Sequence, residues 1–318
     1  MLLKYHLLAN LCCCSTLVLP TAEAVINILI GGLLHGGILS LLAVGLTFIY
    51  GVSRVLNIAH GDFLFLGGVT TTLLFSFYSV NPFLSVLVVI PMFALIGTGF
   101  SYLMKKPTSA RSPEVVTAAS ILVTLGLSNL IEGLGTTLSS VSGHPYYTVQ
   151  LFVTGTVQIF GFALNEVLLL SFIAIIGIAV GLSLLVYRTF LGSLMRASMA
   201  DREVAIMLGI DTFRISTVTF AIGIALSALA GTVEVMTTNI DANVGLLFTI
   251  QALTVIVLGG LASFYGALLA GFLIGVSVAV SEIVLEIIGV QGGAWADAVP
   301  LVMLLIILIV RPRGLLRR

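Results

Sequence analysis

Long apolar runs, separated by short polar stretches, dominate the chain. They cover residues 25–51, 63–80, 83–104, 115–138, 166–187, 215–236, 248–262, 264–288 and 298–310. A helix needs about 20 apolar residues to cross the hydrocarbon core of a bilayer, and most of these runs are long enough. The runs at 248–262 and 298–310 are shorter, which is typical of tilted, broken or re-entrant segments. The pattern predicts an all-α integral membrane protein with about eight or nine transmembrane helices.

The basic residues are distributed unevenly between these runs. If residues 25–51 run from outside to inside, the loops at 81–82, 139–165, 237–247 and 289–297 face outward, and they contain no Lys or Arg. All basic residues beyond residue 25 then lie in inward loops or the C-terminal tail: Arg54, Lys105, Lys106, Arg111, Arg188, Arg196, Arg202, Arg214, Arg311, Arg313, Arg317 and Arg318. Because positive charge concentrates in cytoplasmic loops, we expect a multi-pass protein of the cytoplasmic (inner) membrane, with its C-terminus in the cytoplasm and its mature N-terminus outside.

The composition excludes a soluble enzyme. Of the 318 residues, 59% are apolar and 8% are charged, and the mean hydropathy is +1.23, whereas soluble chains are about a quarter charged. Polar surface is too scarce to cover a water-soluble globule, so we expect membrane lipid around the chain. Basic and acidic residues number 13 each, and the resulting net charge of zero argues against nucleic acid as a partner.

Residues 1–24 have the organisation of a secretory signal peptide. Lys4 precedes an apolar stretch from Leu7 to Leu19, and Ala22-Glu23-Ala24 has the small-x-small pattern of a cleavage site. The alternative is an extra N-terminal hydrophobic segment that is not cleaved. Residues 25–318 are then expected to form one transmembrane domain, because the longest polar loops are too short to bury a core of their own.

The sequence contains no motif that indicates catalysis. None of the three lysines (Lys4, Lys105 and Lys106) follows a glycine, so the chain has no phosphate-binding P-loop. Neither a His-Glu-x-x-His nor a Gly-x-Ser-x-Gly pattern occurs, and the cysteines, Cys12 to Cys14, all lie in the predicted signal. We therefore expect no catalytic residue, no metal site and no cofactor in this chain.

The inward loop at 188–214 predicts a short amphipathic helix between Gly192 and Gly209. Four apolar residues lie three or four positions apart, as on one face of a helix: Ala197, Ala200, Val204 and Leu208. Charged residues occupy the other face, at Asp201, Arg202 and Glu203. Such a helix either lies flat in the lipid interface or inserts into a groove of a soluble partner. The pattern alone does not decide between the two.

A polar stretch at 52–62 separates the first two apolar runs. Asn57 and Asp62 precede apolar segments and could cap helices, which is the simpler interpretation. In the alternative, Asn57, His60 and Asp62 form a buried polar hinge along a transport path, because polar groups at membrane depth usually face a cavity. Other polar groups that could line such a path are Thr117, Thr124, Ser128 and Asn129.

Four segments of the chain carry a family resemblance. They are Tyr50-Gly51 with Leu56-Asn57-Ile58-Ala59-His60-Gly61-Asp62, the loop from Gly192 to Ile210, Val257 to Ala267, and Arg311-Pro312-Arg313-Gly314-Leu315-Leu316. In this order they resemble the permease subunits of branched-chain (hydrophobic) amino-acid ABC transporters, and they are most similar to the first of the two permeases. The chain departs from the family pattern in Ile58 in place of an aromatic residue, in Asp62 in place of Glu, and in the signal-like extension ahead of residue 25.

The resemblance implies the architecture and partners of an ABC importer permease. The chain would form the translocation path with a homologous second permease, two cytosolic ATPase subunits would bind ATP and Mg²⁺, and an extracytoplasmic solute-binding protein would deliver the substrate. The resemblance favours docking for the inward loop, and it assigns to the ATPase-coupling helix Gly192, Arg196, Ala197, Ala200, Asp201, Arg202, Glu203, Ala205, Leu208, Gly209 and Ile210. It assigns to the translocation path or its hinge Tyr50, Gly51, Asn57, Ala59, His60, Gly61, Asp62, Gly259 and Gly260.

Acidic residues without basic neighbours lie towards the predicted outer face. Solvation near the interface is a sufficient explanation for each one singly. Taken together, we hypothesise that Glu234, Asp241 and Asp297 belong to a rim that docks basic residues of the binding protein.

Two alternatives to this function stay open. A urea or short-amide ABC permease has the same architecture and much of the same motif set. An autonomous secondary transporter or channel would work without ATP, and a proton-coupled carrier would need an ionisable group near mid-membrane. The middle of the apolar runs is nearly free of charge, which disfavours such coupling.

Overall fold

The computed structural model describes residues 22–105, 113–142, 147–149, 156–159, 162–261, 263–287 and 298–310. In these residues the chain forms eleven helices: α1 (Ala22–Ser53), α2 (His60–Tyr78), α3 (Pro82–Leu103), α4 (Pro113–Ser142), α5 (Glu166–Arg188), α6 (Phe190–Ala200), α7 (Arg202–Met207), α8 (Thr212–Thr237), α9 (Val244–Gly259), α10 (Phe264–Ile287) and α11 (Ala298–Val310). The predicted signal up to residue 21, Asp297 and the motif from Arg311 to Leu316 lie outside the described residues.

Each of the nine predicted apolar runs contains a helix. Within the described ranges, seven helices are long and apolar enough to cross a membrane: α1, α2, α3, α4, α5, α8 and α10. The two runs predicted to be short correspond to α9, with 16 residues, and α11, with 13. The predicted all-α membrane bundle is confirmed.

Two local features differ from the sequence prediction. Strands β1 (Thr156–Ile159) and β2 (Phe162–Asn165) form an antiparallel hairpin in the predicted outward loop, with Thr156 opposite Asn165. In addition, the prediction of a single amphipathic helix between Gly192 and Gly209 is wrong. Asp201 has an extended backbone and divides this segment into α6 and α7.

Helices α1 and α8 form the centre of the bundle. About two thirds of the apolar window of α1 (67%) and most of that of α8 (83%) are buried. The two helices are antiparallel, because Gly45 lies against Gly223 and the hydroxyl oxygens of Ser53 and Ser216 are 2.6 Å apart. A Cβ on either glycine would lie 2.7 Å from the carbonyl oxygen of the other. Only glycine therefore permits this close crossing, as in other membrane helix pairs.

The helices form an inverted repeat. Helix boundaries recur at a spacing of about 184 residues, as the ends of α1 and α8 (Ser53, Thr237) and the starts of α2 and α9 (His60, Val244), α3 and α10 (Pro82, Phe264), and α4 and α11 (Pro113, Ala298) show. The packing recurs too, since α1 packs along α10 as α8 packs along α3. Because α1 and α8 are antiparallel, the unit α1–α4 and the unit α8–α11 have opposite orientations.

The described basic residues lie together at one end of the bundle. Ser53 contacts Ser216, which brings Arg54 and Arg214 to the same end. Lys105 lies 4.8 Å from the centre of the Phe213 ring, and Arg196 contacts the last residues of α5. We call this the basic end, and it is the end that the charge pattern predicts to face the cytoplasm.

Candidate functional site

Helix α2 begins deep inside the bundle and not at its basic end. The Nε2 atom of His60, the first residue of α2, is 3.0 Å from the carbonyl oxygen of Leu42 on α1. At 1.5 Å per residue, Leu42 is about 16 Å along α1 from Ser53, close to the middle of a 30 Å hydrocarbon core. Residues 54–59 therefore return from the basic end into the bundle without helical structure, and α2 starts at mid-depth.

Helix α9 begins at the same depth. The amide of Gly61 donates a hydrogen bond to Thr249 Oγ1 (2.8 Å), and a Cβ on Gly61 would collide with the carbonyl oxygen of Gly245. From this point α9 runs to the basic end, where Phe264 stacks on Phe48 just beyond its last residue. Helix α8 begins at the basic end and runs away from it. Because α2 lies parallel to α8, α2 also runs away from the basic end, opposite to α9. Two helices thus begin side by side at mid-depth and diverge.

Hydroxyl groups from three other helices satisfy the backbone of the non-helical segment. Thr124 of α4 accepts a hydrogen bond from the amide of Ile58 (3.1 Å), and Thr249 of α9 donates one to its carbonyl oxygen (2.8 Å). Ser227 of α8 donates a hydrogen bond to the carbonyl oxygen of His60 (2.6 Å). Irregular backbone at membrane depth is tolerated only where protein or a water-filled cavity surrounds it. These hydroxyls allow the chain to break its helix there.

The three polar side chains predicted as a hinge are buried at this point. Asn57 and His60 are fully buried and Asp62 is 2% exposed. Since a carbonyl oxygen can only accept, the bond to Leu42 places the proton of His60 on Nε2. Within the described part of the chain, both amide atoms of Asn57, Nδ1 of His60 and Oδ2 of Asp62 have no hydrogen-bond partner.

The capping interpretation of this stretch is wrong. The N-cap residue of α2 is Ala59, and no side chain caps the helix. Asp62 lies within the first turn instead, with Oδ1 directed at Gly245 in the first turn of α9. The buried polar cluster was the weaker alternative from sequence because residues 52–62 resemble an ordinary loop when their depth is unknown.

Helix α4 adds a polar stripe that faces this cluster. Ser120, Thr124 and Ser128 are four residues apart and buried, and Glu132 continues the stripe as a half-buried residue. Ser128 is near enough to Asp62 for its hydroxyl to act on the carboxylate, and Glu132 is close enough to interact with it electrostatically. Of the four residues that the sequence suggested as path lining, Thr124 and Ser128 are on this face. Thr117 and Asn129 are on the exposed face of α4.

Other residues assigned to the path lie elsewhere. Tyr50 and Gly51 are in the last turn of α1, near the basic end. Gly259 and Gly260 form the tight turn between α9 and α10, where Gly260 has a positive φ of 95°. Gly259 packs against the backbone of Gly266, and this contact leaves no room for a Cβ. These glycines shape a turn at the basic end and do not contact the mid-depth cluster.

The predicted acidic rim loses one member. Glu234 is 4% exposed, and its Oε1 accepts a hydrogen bond from the hydroxyl of Thr238 (2.6 Å). A buried carboxylate cannot meet a partner, so its placement on an outer docking rim is wrong. The sequence suggested it because Glu234 is near the end of an apolar run, where exposure is usual. Asp241 is half-buried and its Oδ1 accepts a hydrogen bond from the amide of Asn243, while Asp297 lies outside the described residues.

The segment at the basic end is built from short, well-capped helices. Thr189 caps α6, Asp201 caps α7 and Asp211 caps α8, each through its side-chain oxygen. Helix α7 ends in a Schellman motif: Gly209, with a φ of 81°, donates to Ile206, and Ile210 donates to Ala205. Asp201 and Gly209 were predicted as members of one coupling helix. In the structure they are the residues at which α7 starts and stops.

This segment presents apolar side chains to solvent. Val204, Ile206, Met207 and Leu208 are between 48% and 81% exposed, whereas Ala205 is buried. The predicted apolar stripe is therefore not one buried face, because the break at Asp201 rotates α7 relative to α6. Arg196 is held against α5, since its guanidinium donates a hydrogen bond to the carbonyl oxygen of Val186 and lies over the Tyr187 ring.

Several residues of the mid-depth cluster were not identified from the sequence. They are Ser227 and Thr249, which hold the non-helical backbone, Gly245, which lets α9 approach Asp62, and Glu132 as a neighbour of Asp62. The four-residue spacing of Ser120, Thr124, Ser128 and Glu132 was a signal in the sequence. Within the described residues, no group of three His, Cys, Asp or Glu side chains could hold a metal ion.

Comparisons with known proteins match almost the entire chain. A family model described as branched-chain amino acid transport system, permease component, matches residues 28–308. The probable branched-chain amino acid transport permease protein LivH of Methanocaldococcus jannaschii is 28% identical over 91% of this chain and 91% of its own length. The high-affinity branched-chain amino acid transport system permease protein BraD of Pseudomonas aeruginosa is 29% identical over 91% of this chain and 95% of its own. The solved structure of PsaBC from Streptococcus pneumoniae in complex with Fab covers 89% of this chain and 91% of that chain, with a TM-score of 0.47 and 12% identity.

Proposed function

The chain belongs to the family of permease components of branched-chain amino acid transport systems, and from this premise we propose that it is a permease subunit of an ATP-driven importer of branched-chain or other hydrophobic amino acids. The observation that supports a transport path in this chain is that α2 and α9 begin side by side at mid-depth, inside the bundle. Broken helices that meet at an inverted-repeat interface are typical of substrate paths in transporters.

Different subunits of the proposed importer form the path, bind ATP and deliver the substrate. This chain and a homologous second permease enclose the path, and two cytosolic ABC ATPases bind ATP and Mg²⁺. An extracytoplasmic solute-binding protein delivers the amino acid to the outer face of the inner membrane. Asp241 and Asp297 are the remaining members of the proposed acidic docking rim for that binding protein.

The segment between Thr189 and Asp211 is the proposed contact with the ATPase. Its exposed apolar tip, formed by Ile206, Met207 and Leu208, has the chemistry of a helix end that inserts into an apolar groove. The caps at both ends and the contacts of Arg196 with α5 make the segment stiff. A stiff segment transmits movement of the ATPases to α5 and α8, and this movement would switch the path between outward and inward access.

A pull-down tests this assignment. The C-terminally tagged chain is purified from native membranes in mild detergent, and co-purifying proteins are identified by mass spectrometry. We expect a second multispanning protein together with one or two P-loop ATPases. Recovery of the chain alone, with solute transport in liposomes that needs no ATP, would refute the proposal.

One observation favours an autonomous carrier as the second candidate. Asp62 and its neighbour Glu132 place ionisable groups inside the bundle, whereas the middle of the apolar runs was expected to be nearly free of charge. The same reconstitution separates the candidates. An importer depends on ATP hydrolysis, whereas a proton-coupled carrier is driven by a pH gradient without ATP. Uptake of radiolabelled urea in place of leucine would support the amide-permease alternative.

A further inference from the structure

We propose that Asp62, Ser128 and Glu132, together with the N-terminus of α9, form a site for the charged head group of an α-amino acid. The acidic side chains would bind its ammonium group, and the first turn of α9 would bind its carboxylate. This inference rests on the proposed function, because it assigns the substrate contacts within the same path.

The acidic half of the site lacks a counter-charge. Asp62 is 98% enclosed, and Glu132 is near enough to act on it electrostatically. Neither carboxylate takes part in an ion pair within the described residues, where Arg214 pairs with Asp211 at the basic end. Two carboxylates at membrane depth are costly without a cation between them. The ammonium group of a substrate would supply that positive charge.

The Asp62 carboxylate is also incompletely bonded. Its Oδ2 atom has no hydrogen-bond partner, although the atom is buried. Its Oδ1 atom lies against Gly245, so the group is directed at the start of α9. A buried carboxylate oxygen without a donor loses its hydration with no compensation. A ligand donor at this position would restore the missing bond.

The start of α9 has no side-chain cap and lies against the Asp62 carboxylate. Its N-cap residue is Asn243, and no side chain caps the helix. By contrast, side chains cap α3, α6, α7 and α8, through Asn81, Thr189, Asp201 and Asp211. Exposed amides and the helix dipole make a free N-terminus a favourable place for a carboxylate. Because Gly245 contacts Asp62, one amino-acid head group could reach both the carboxylates and this helix end.

The neighbouring surface suits an aliphatic side chain. Leu246 and Ile250 lie one turn apart on α9, next to Gly245 and Thr249, and are 48% and 36% exposed. They form an exposed apolar strip on the same helix, each one position beyond a residue that contacts Gly61 or Asp62. A zwitterion with an aliphatic side chain matches this combination, whereas urea has neither the charges nor the apolar part. The proposed site therefore favours amino acids over the amide alternative.

Coupled transport measurements test the site. The complete complex is reconstituted in proteoliposomes with its binding protein, and tritiated leucine uptake and ATP hydrolysis are measured in the same vesicles. We expect Asp62→Asn and Glu132→Gln to lower the leucine moved per ATP by about tenfold, because each removes a charge from the ammonium contact. Asp62→Glu keeps the charge and should stay within about twofold of wild type. Glu114→Gln, an exposed acid in the first turn of the same helix, is the matched control.

The outcomes separate the two proposals. If Asp62→Asn fails to assemble with the ATPases, the isosteric Glu132→Gln variant at the half-buried position decides. Wild-type leucine uptake per ATP in Glu132→Gln would overturn the head-group site and leave the importer assignment intact. A wild-type complex that moves no leucine with ATP would overturn the importer assignment, and the site with it.

Discussion

Asn57 is enclosed by the bundle, yet both of its amide atoms lack a partner in the described part of the chain. An amide that is buried without hydrogen bonds destabilises the state in which it is buried. The hydroxyls of Thr124, Thr249 and Ser227 satisfy backbone groups nearby but not this side chain. The arrangement is understandable if Asn57 finds partners in another conformation or with substrate, as the proposed hinge requires.

Replacing Asn57 by Leu should separate stability from transport. Leu has the same branching without polar atoms, so we expect the free energy of unfolding to rise by about 2 kcal/mol. Leucine uptake should fall roughly tenfold, since the bonds formed in the other conformation are lost. Thermal unfolding in detergent and uptake in proteoliposomes measure the two effects.

Asn129→Leu is the control for this prediction, because Asn129 is on the exposed face of α4 and donates a hydrogen bond to the carbonyl oxygen of Leu125 in its own helix. It should leave uptake unchanged. A stable Asn57→Leu variant with normal uptake would contradict a role of this side chain in the transport cycle.

At the scale of elements, short polar signals determine where each helix begins and ends. Asp201 and Gly209 delimit α7 through a side-chain cap and a positive φ, and both signals are legible in the sequence. The predicted stripe from Ala197 to Leu208 failed because it assumed one continuous helix across Asp201. The start of α2 was equally hidden, since its backbone partners come from three helices distant in sequence.

Met207, which is 81% exposed at the apolar tip, gives the element-scale prediction. Met207→Glu should reduce co-purification of the ATPases by at least about tenfold, because a charge would be buried in an apolar groove. Its effect on folding of the permease should be small, since the side chain is exposed in this chain. Quantitative mass spectrometry of the purified complex measures the ratio.

Met207→Leu is the matched variant, as it keeps the apolar contact and should retain the ATPases. If Met207→Glu bound them as well as Met207→Leu does, the tip would lie in lipid or solvent and the coupling assignment would fail.

At the scale of the whole molecule, the inverted repeat places the starts of α2 and α9 at its centre. The unit α1–α4 and the unit α8–α11 interlock, since α1 packs along α8 and α10, and α8 also packs along α2 and α3. At the crossing of α1 and α8, Gly45 and Gly223 allow the backbones to touch. In transporters with this symmetry, movement of one unit against the other opens the path to alternate sides. Such movement requires that the units be free to separate at their ends.

A disulfide between the units tests this requirement. Ser53 and Ser216 are in different units with their hydroxyl oxygens 2.6 Å apart, so Ser53→Cys with Ser216→Cys should form a bond of ordinary geometry in a background in which Cys12, Cys13 and Cys14 are serine. Oxidation should abolish leucine uptake, and a reductant should restore it. Gel mobility after proteolysis confirms the bond.

The control pair is Thr71→Cys with Ser85→Cys, whose hydroxyls are 3.4 Å apart within one unit. Oxidation of this pair should leave uptake unchanged. Full uptake by the cross-linked Ser53–Ser216 variant would show that the units do not move apart at the basic end.

The sequence by itself determined the class of this protein. Apolar runs that are long enough to cross a bilayer predict the helices. The distribution of Lys and Arg between these runs predicts that the basic residues lie at one end of the bundle. Four motifs in a fixed order indicate the family. These are local or compositional properties, so they can be read without coordinates. Even the two shortened helices, α9 and α11, were visible as short runs.

Only the tertiary structure decided depth and proximity. That α2 starts beside Leu42, that Gly245 meets Asp62 and that Glu234 is enclosed all depend on contacts between residues far apart in sequence. A polar residue looks the same in a sequence whether it caps a helix at the surface or lies at mid-depth. Its role follows from which helices surround it, and close packing of the two repeat units sets that surrounding.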